Sequence, residues 1–460
     1  EVARAATTGG RGLRIRLGSE ERQSFSIPAA DVDLARPSAP PPCVRRALAA
    51  ARRLLLEGGG RDLDVGAYTE ALPKLVRGAK ACAGEPAWAE RLNGVAAAQL
   101  VRFGDAKATI GEWDEAKSQF AKACEFGAEE ACRRAEKAAE RAERLQLPEV
   151  GHTETLRGSV PESVLEVNRD GLRVGGDSIA SLEQLSSGTD SGTSVIAAME
   201  KQAGPVRMTT MHGNGITMPV AAETSLRVRH IQALARQAFE TTLPRSSAGR
   251  NRSRYAKVKR ERSRKTQSVV FFVKDPGGQR FRHSGPNYLA IRREKPTGSS
   301  ADDQSLGLSV TVTLEGFQVR TQEGTVDSIE GCPDDGPTVC LRDNSPAIEQ
   351  RLTRYDKVDA RDDNAAAREA ASAVAGAFPY HRLYRVLIDL HERHVDEGNY
   401  RTPVRLSVDE KLPFEVLAKT IATAARRRWN VEGYESAGAL FADNRRTRPM
   451  FDVVYLDLSR

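Results

Sequence analysis

The stretch VLEVNRDGLRV, residues 164–174, alternates apolar and polar residues on both sides of Asp170-Gly171. Alternation of this kind predicts two β-strands, and Asp-Gly is typical of the two-residue type I′ turn that joins them. In the register that such a turn sets, Val167 faces Val174 across the strands. We therefore predict an antiparallel β-hairpin over this stretch.

A second stretch, LSVTVTLEGFQV at residues 308–319, has the same pattern around Glu315-Gly316. The similarity predicts a second copy of the hairpin. Its expected cross-strand pairs are Val312 with Val319 and Leu314 with Phe317.

The segments after the two hairpins also match. Each has a predicted helix, then a strand, a second helix, an insertion and a last strand, so the order of elements is ββαβαβ twice. The strand meets the second helix at an apolar-Pro-apolar step that contains Pro219 in one copy and Pro413 in the other. We place each proline in the first helical turn, where its missing N–H costs nothing. The two duplicated αβ domains are predicted at 160–275 and 305–460, with insertions at about 244–267 and 430–449.

Residues 43–147 are rich in Ala, Leu, Arg and Glu at helical spacing, which predicts an all-helical region after an extended arm at 1–42. Within it, GAYTEA (66–71) and GEWDEA (111–116) share a G-x-aromatic-x-E-A pattern. The pattern resembles the start of the second helix in TPR repeats, and FAKACEFGAEEACRRAE resembles the cysteine-rich SEL-type repeats. This resemblance implies a docking platform for a peptide or protein; a plain helical bundle is the alternative. The predicted class is therefore multidomain, α followed by α/β.

Six cysteines are present, and their even number and spacing favour three local disulfides over six buried thiols. Metal binding is disfavoured, because no pair forms a CxxC and no His lies near any pair. Disulfides are typical of an oxidising space, so we expect a periplasmic or otherwise extracytoplasmic location. The expected pairs are Cys43 with Cys82, Cys124 with Cys132, and Cys332 with Cys340.

The 460 residues carry a net charge of +7, and most of the excess lies between Arg245 and Lys265. We interpret this run as a solvated insertion; binding of an acidic protein or a cell-wall polymer is the alternative. Nucleic acid is less favoured because Tyr255 is its one aromatic residue. No stretch approaches the roughly 18 apolar residues of a membrane span, and a start at Glu1 is compatible with removal of a signal peptide or anchor. The candidate binding residues are Arg252, Arg254, Lys257, Lys259, Arg260 and Arg262.

Three motifs resemble carrier or catalytic sites, and each has a simpler explanation. GGDSI at 175–179 resembles the phosphopantetheine attachment site of carrier proteins, with Ser178 as the modified residue, but a hairpin is foreign to that four-helix fold. Ser191 in GTDSG resembles a protease nucleophile, yet a Ser/Gly linker explains it better. HERH at 391–394 spaces its histidines by three residues rather than the four of zincins, and we interpret it as a solvated surface patch. We expect no catalytic residue, metal site or cofactor.

The strings VLEVNRDGLRVGGDSIASLEQL and PVRLSVDEKLPFEVLAKTIATA resemble the periplasmic domain of ExbD/TolR proteins. That domain has a D-G-x-x-V-x-G hairpin, a strand ending in Asp, and an apolar-Pro-aromatic step into a helix. Asp409 stands at the strand-end position, whereas the first copy offers only Gly213, Asn214 and Gly215 in that region. The resemblance implies a dimeric envelope domain beside a proton-driven motor. Because the family's transmembrane helix is missing from the sequence, we expect an accessory protein that kept the fold and lost the motor.

These patterns predict a non-catalytic structural or adaptor component of a bacterial cell-envelope assembly, associated with an ExbD/TolR-type transport or motor complex. The expected partners are envelope proteins, such a motor complex or peptidoglycan, and the αβ domains are candidates for homodimerisation. Two alternatives stay open. They are a carrier-type module modified at Ser178, and nucleic-acid or acidic-polymer binding through residues 245–265.

Overall fold

A computed structural model gives the structure of the protein. It describes residues 13–15, 25–27, 41–57, 65–150, 153–155, 164–186, 216–240, 242–243, 264–274, 286–293, 306–341, 345–361, 363–394, 403–428, 447–451 and 453–458.

Eleven helices lie in the described part of the chain. The first five are α1 (Pro42–Glu57), α2 (Val65–Ala81), α3 (Pro86–Thr109), α4 (Trp113–Glu125) and α5 (Glu129–Arg144). The other six are α6 (Leu182–Ser186), α7 (Val228–Glu240), α8 (Ser345–Asp359), α9 (Asn364–Ala377), α10 (Tyr380–His394) and α11 (Phe414–Ala425).

The first five helices form the predicted helical region, and each packs against the next in chain order. Buried alanines and leucines of α1, α2 and α3, including Leu54, Leu75 and Leu100, form its core. Pro86 begins α3 at a position where a missing N–H costs nothing. The GAYTEA segment lies at the start of α2 and the GEWDEA segment at the start of α4. Both patterns therefore mark the beginning of a helix that packs against the helix before it.

The described strands are β1 (Leu13–Ile15), β2 (Phe25–Ile27), β3 (Glu154–Thr155), β4 (Leu165–Asn168), β5 (Gly171–Val174), β6 (Asp177–Ala180), β7 (Ile216–Ala222), β8 (Thr242–Leu243), β9 (Arg264–Val273), β10 (Asn287–Arg292), β11 (Ser309–Thr313), β12 (Gly316–Thr321), β13 (Gly324–Thr325), β14 (Val339–Cys340), β15 (Pro403–Val408), β16 (Arg426–Arg428), β17 (Thr447–Pro449) and β18 (Val453–Leu456). One 14-stranded sheet has the order β13-β12-β11-β15-β18-β10-β9-β7-β4-β5-β6. In addition, β14 pairs with β12, β3 with β10 and β8 with β9, whereas β1-β2 and β16-β17 are separate antiparallel pairs. The mixed α and β class is thus confirmed.

The two ends of this sheet have the same strand order and directions. At one end β4 is antiparallel to β5 and parallel to β7, and β7 is parallel to β9. At the other end β11 is antiparallel to β12 and parallel to β15, and β15 is parallel to β18. We call these strands the first half and the second half. Between them β10 is antiparallel to β9 and parallel to β18, so the halves run in opposite directions about an approximate two-fold axis near β10.

The registers predicted for the two hairpins are wrong by two residues. Val167 pairs with Leu172 rather than Val174, because the turn lies at 169–170 and Gly171 is already a strand residue. The second hairpin differs in the same way. There Val312 pairs with Phe317 and Val310 with Val319, and the turn lies at 314–315.

A side chain before each turn explains the shift. The Asn168 side chain accepts a hydrogen bond from the backbone N–H of Asp170 at 3.0 Å, and the Thr313 hydroxyl accepts one from Glu315 at 3.2 Å. Side chains of these types stabilise tight turns by such local bonds. The turn is therefore centred one position earlier than a turn built on the X-Gly dipeptide.

Each of the two hairpin glycines allows the neighbouring backbone to approach closely. Gly171 has φ +130° and Gly316 has φ +143°. A Cβ at Gly171 would lie 2.3 Å from the carbonyl oxygen of Ala180, and one at Gly316 would lie 2.1 Å from that of Val339. Both positions therefore require glycine for conformation and for space.

The two prolines of the apolar-Pro-apolar steps have different surroundings. Pro413 immediately precedes α11, close to the predicted place. Pro219 lies inside β7, where it pairs with Val270 of β9, and not in a helical turn. The prediction for Pro219 is wrong, because the residue that corresponds to Pro413 in the first half is Arg227.

Alternate residues of the strands face two different cores. Val269, Phe271 and Val273 of β9 belong to the large core under α7 and α11, which extends across both halves. Val270 and Phe272 face the other side of the sheet and pack against Leu145 and Leu147, which follow α5. We call these the inner and the outer face. The helical region thus covers the outer face of the first half.

None of the helices in the described ranges is long and apolar enough to cross a lipid bilayer.

Candidate functional site

Two loops that lead from strand to helix, residues 223–228 and 409–414, meet at the approximate two-fold axis. The backbone N–H of Val228 donates to the Leu412 carbonyl at 2.8 Å, and the N–H of Phe414 donates to the Leu226 carbonyl at 2.6 Å. The approximate two-fold axis relates these two hydrogen bonds to each other. It relates two flanking bonds in the same way, from Arg229 N to Glu410 O and from Glu415 N to Thr224 O. We call this contact the loop pair.

An acidic residue begins each loop. Asp409 follows the last residue of β15 and its N–H donates to the Val312 carbonyl, whereas Glu223 follows β7 and its N–H donates to Val167. Glu223 is therefore the counterpart of Asp409 in the first half. The sequence-based location of this counterpart at 213–215 is wrong, because β7 continues to Ala222. Residues 213–215 themselves lie outside the described ranges.

The carboxylate of Glu223 is held in a bidentate ion pair. Arg368 of α9 donates from Nε to Oε1 at 2.8 Å and from Nη2 to Oε2 at 2.9 Å. The backbone N–H of Gln146 and the hydroxyl of Ser225 also donate to this carboxylate, at 2.5 and 3.3 Å. Only 1% of the Glu223 side chain is exposed. A buried charge needs such partners, so this ion pair is essential to the packing around it.

The same arginine binds the end of the helical region. Arg368 Nη2 donates to the carbonyl of Glu143 in the last turn of α5 at 3.0 Å, and Asn364 Nδ2 donates to it at 3.4 Å. Carbonyls in the last turn of a helix lack partners within the helix, and a positive charge there is favourable. Helix α9 therefore caps α5 and fixes the helical region against both halves.

A second ion-pair cluster lies beside the loop pair. Arg227 donates from Nε and Nη2 to Asp359 Oδ2 at 2.9 and 2.8 Å, and it lies 3.0 Å from Asp356. Arg169, in the first hairpin turn, is 3.5 Å from Asp359 Oδ1 and donates to the Asp359 carbonyl. The guanidinium of Arg227 also stacks 5.2 Å above the ring of Tyr355. The last turn of α8 is thus bound to the first half.

The electrostatics of this cluster follow from burial and from the neighbouring charges. Burial lowers the pKa of Arg227, but its hydrogen bonds and ion pair with Asp359 outweigh that effect and raise the pKa. Burial, and then the Asp359 charge, raises the pKa of Tyr355, whose hydroxyl donates to the Ser225 carbonyl at 2.5 Å. Burial, followed by the charge of Arg229, lowers the pKa of His230 to about 4. Arg227 and Tyr355 therefore keep one protonation state near neutral pH, and both bind between α8 and the first half.

Glu415, at the start of α11, connects the two halves on the other side of the loop pair. Its carboxylate lies 2.7 Å from Lys419 Nζ and accepts hydrogen bonds from Thr224 and Ser372, both at 3.4 Å. The side chain is buried. Burial, and next the Glu415 charge, raises the pKa of Tyr380 well above its usual range.

The outer face of the first half carries one more buried acid. Glu166 of β4 lies 3.3 Å from Arg141 of α5, whose guanidinium stacks 5.0 Å from the Trp113 ring. Burial raises the pKa of Glu166, and Arg141 partly offsets this rise. Lys274, just after β9, pairs with Asp114 of α4 at 2.8 Å. The helical region is therefore docked by charge as well as by apolar contacts.

The six predicted disulfide cysteines lie in three bonded pairs, Cys43 with Cys82, Cys124 with Cys132, and Cys332 with Cys340. The first pair joins the start of α1 to the end of α2, and the second joins the end of α4 to α5. The third closes a loop before β14, beside β12 at the end of the sheet.

The other predicted positions are not brought together. The candidate binding residues between 252 and 262 and Ser191 lie outside the described ranges. Ser178 lies in β6, on an exposed stretch of a hairpin and not at the start of a helix. His391 is buried, with its ring 5.5 Å from that of Phe451, so the interpretation of HERH as a solvated patch is wrong for this residue. Within the described residues, no three His, Cys, Asp or Glu side chains are placed to hold a metal ion.

Comparison with protein-family models, curated proteins and solved structures gives no match for this chain.

Apart from Asp409 and Pro413, the residues of the loop pair and of the ion pairs beside it were not predicted, although the sequence contains one signal for them. The segments AAETSLRV (221–228) and SVDEKLPF (407–414) have an acid, two polar residues and a leucine at the same positions. That alignment identifies Glu223. Arg368, Asp359 and Asn364 come from helices far along the chain, and nothing in the neighbouring sequence distinguishes them from solvated polar residues.

Proposed function

We propose that this protein is a non-catalytic adaptor of a bacterial cell-envelope assembly, in which a helical docking region is held rigidly against two αβ units. The proposal rests on the contact partners of the buried charged side chains. Glu223, Glu415, Glu166 and Arg227 all bind partners from another part of the chain. Buried ionisable groups of a catalytic site would instead face a cleft that admits substrate.

We propose further that the two αβ units arose by duplication and belong to the ExbD/TolR type. The equal strand order of the two halves, the paired hairpin glycines and the equivalent acids Glu223 and Asp409 support this relationship. The loop pair then takes the place of a contact between two copies of one domain. We accordingly expect the chain to be a monomer, with its second unit in the role of a partner subunit.

The three disulfides support a location in an oxidising space, where such bonds persist. Association with a proton-driven motor complex or with peptidoglycan stays part of the proposal as the class of assembly that the ExbD/TolR type implies.

Site-specific photocrosslinking in native envelopes tests the adaptor role. Leu48 of α1 is a large hydrophobic residue that is 41% exposed, and a photoreactive amino acid there should give one discrete crosslinked envelope protein. The same substitution at exposed Arg354 of α8 is the matched control and should give none. A crosslink-free Leu48 variant, together with six thiols that react with maleimide in unreduced envelopes, would refute the proposal.

A further inference from the structure

The edge of the sheet at β12 is closed by one segment, residues 324–341, which we call the edge cap. Within it, β13 pairs with one end of β12 and β14 with the other. Between them the Val319 N–H donates to the Thr338 hydroxyl at 3.0 Å, and the Val319 carbonyl accepts from the Val326 N–H at 2.9 Å. An open edge strand is a template for pairing with another chain, and here that template is covered.

Two consecutive residues fill the middle of this edge. The Thr338 hydroxyl, besides accepting from Val319, donates to the Val326 carbonyl at 2.9 Å, so it connects β12 to the cap. Val339 pairs with Phe317, and both side chains are fully buried in the inner core. The cap therefore supplies a hydroxyl to the edge and then an apolar side chain to the core.

A disulfide closes the cap at its exposed part. Residues 330–335 lie at the surface, with Cys332 partly exposed among them, and Arg382 of α10 donates to the Glu330 carbonyl. Cys332 is bonded to Cys340, eight positions later in β14. A short crosslink favours the closed loop, because it removes open conformations of the segment. The disulfide therefore helps to hold the cap on β12.

The surroundings of this disulfide favour its opening by a thiol. The Cys340 N–H donates to Cys332 Sγ at 2.9 Å. Such a donor stabilises the thiolate that forms when the S–S bond breaks, and a stabilised thiolate is the better leaving group. Both cysteines are partly exposed, whereas Cys82 of the first disulfide is fully buried. Cys332 is thus suited to be the leaving sulfur and Cys340 the attacked one.

We propose that the Cys332–Cys340 disulfide controls a strand-binding site at the edge of β12. The reductant is a protein dithiol. Its thiolate attacks Cys340 Sγ, the bond between the two sulfurs breaks, and Cys332 leaves as a thiolate. The second thiol of the reductant then attacks the mixed disulfide and releases Cys340. The reductant becomes a disulfide, and its two electrons and two protons pass to the two cysteines. This role goes beyond the adaptor function and does not depend on it.

The occupant of the opened edge is an extended segment of a partner protein, in which Thr or Ser precedes a β-branched apolar residue. These are the groups that the cap itself places there, a hydroxyl for the Val319 N–H and an apolar side chain beside Phe317. Backbone hydrogen bonds of an added strand give affinity, and the sites of its alternate side chains give specificity. The oxidised cap excludes such a segment because it fills both positions.

Hydrogen exchange of the Val319 amide in the full chain tests the opening. Loss of a crosslink of this length should raise the exchange rate on the order of 50-fold, both after dithiol reduction and in the variant C332A/C340A. The variant C124A/C132A removes a disulfide with the same separation from the helical region and should leave the rate unchanged. Equal rates in the oxidised and reduced protein would overturn the proposal.

A substitution in the oxidised protein tests the part of Thr338. Thr338→Val keeps the shape of the side chain and removes the hydroxyl, so Val319 should exchange about tenfold faster through loss of one hydrogen bond. Thr420→Val is the matched control, because that buried hydroxyl bonds to Val416 within α11. An unchanged rate in the Thr338 variant would show that the hydroxyl does not close the edge.

Disulfide trapping tests the occupant. In the variant Cys340→Ser, the Cys332 thiol is free to form a mixed disulfide with the peptide GPTVCL, which has the sequence of residues 336–341. The control peptide GPVTCL has the same composition with Thr and Val exchanged. At equilibrium in a glutathione buffer, intact mass should show about fivefold more adduct with the first peptide, the effect of one well-placed hydrogen bond. Equal trapping of the two peptides would reject the strand-binding site.

Discussion

The Glu223 carboxylate and the Arg368 guanidinium form two parallel hydrogen bonds, at 2.8 and 2.9 Å, in a place where the glutamate side chain is 1% exposed. Arg368 belongs to α9, and Glu223 begins the loop after β7. One ion pair therefore joins the two halves of the sheet, and the arginine extends the link to α5 through the Glu143 carbonyl.

Arg368→Met should lower the free energy of unfolding by about 3–5 kcal/mol, because it leaves a buried carboxylate without its charge partner. Arg354→Met is the matched control, since Arg354 and Glu369 form an ion pair with side chains that are 64% and 70% exposed. Exposed pairs contribute at most about 1 kcal/mol. Urea unfolding of the two variants measures both changes, and equal losses would contradict the role of Glu223 as a buried anchor.

His230 should make the protein sensitive to acid. Its pKa is about 4 in the folded state, mainly because of burial, and its ordinary value is 6.5. Between these values the unfolded chain binds the proton and the folded chain does not, so stability is lost as the pH falls from 6.5 towards 4. The loss should reach about 3 kcal/mol at the low end of this window.

His230→Gln should remove this part of the pH dependence, which urea unfolding at a series of pH values would measure. Arg229→Gln should act in the same direction but more weakly, because the Arg229 charge is the second cause of the low pKa. A pH profile that is identical in the wild type and the His230 variant would show that the histidine is not buried in its neutral form.

The strands could be predicted because apolar residues alternate in them with a period of two. That signal is local, and it correctly located both hairpins and the last strand of each half. The predicted order of elements between them is wrong for the second half, where three helices rather than one precede β15. The corresponding helix of the first half was predicted in residues 194–203, which lie outside the described ranges. The register is decided by other contacts. Asn168 and Thr313 bind the backbone of their own turns, and Gly171 and Gly316 are required by the backbone of β6 and of the residues in β14. The alternation of apolar and polar residues predicts neither the side-chain bonds in the turns nor the backbone contacts of the glycines.

The ion pair between Glu223 and Arg368 could not be predicted for a related reason. The sequence does not distinguish Glu223 from other polar residues unless the end of β7 at Ala222 is known. Arg368 lies in an alanine-rich helix, and the exposed face of such a helix is expected to carry charges. Their meeting depends on how α9 packs over the loop pair. The cysteine pairs were easier, because two of them are separated by only 8 positions and must close locally.

Substitution of the second hairpin glycine tests the close approach of backbones. Gly316→Ala should cost about 2–4 kcal/mol of stability, since a Cβ would overlap the Val339 carbonyl and φ is +143°. Gly84→Ala is the matched control, because no atom lies within 4 Å of the added carbon there. Thermal unfolding should show a large fall in Tm for the first variant and almost none for the second. A tolerated alanine at position 316 would mean that β12 and β14 are not held this close.

The two disulfides of the helical region should contribute unequally. Cys43 and Cys82 are separated by 39 positions, and Cys124 and Cys132 by 8. A crosslink stabilises mainly by restricting the unfolded chain, so the longer loop should contribute about 4 kcal/mol and the shorter one about 2.5 kcal/mol. The paired variants C43A/C82A and C124A/C132A, compared by urea unfolding without reductant, measure the difference.

Loss of packing is the competing explanation for this difference, because Cys82 is fully buried and alanine is smaller. Selective reduction separates the two effects, since it removes the crosslink and leaves both sulfur atoms in place. If reduction of Cys43–Cys82 alone, followed at equal urea concentrations, destabilises the protein as much as the alanine pair does, then chain entropy dominates. A larger loss in the shorter loop under either treatment would contradict the prediction and would mean that α4 and α5 depend on their disulfide for local packing.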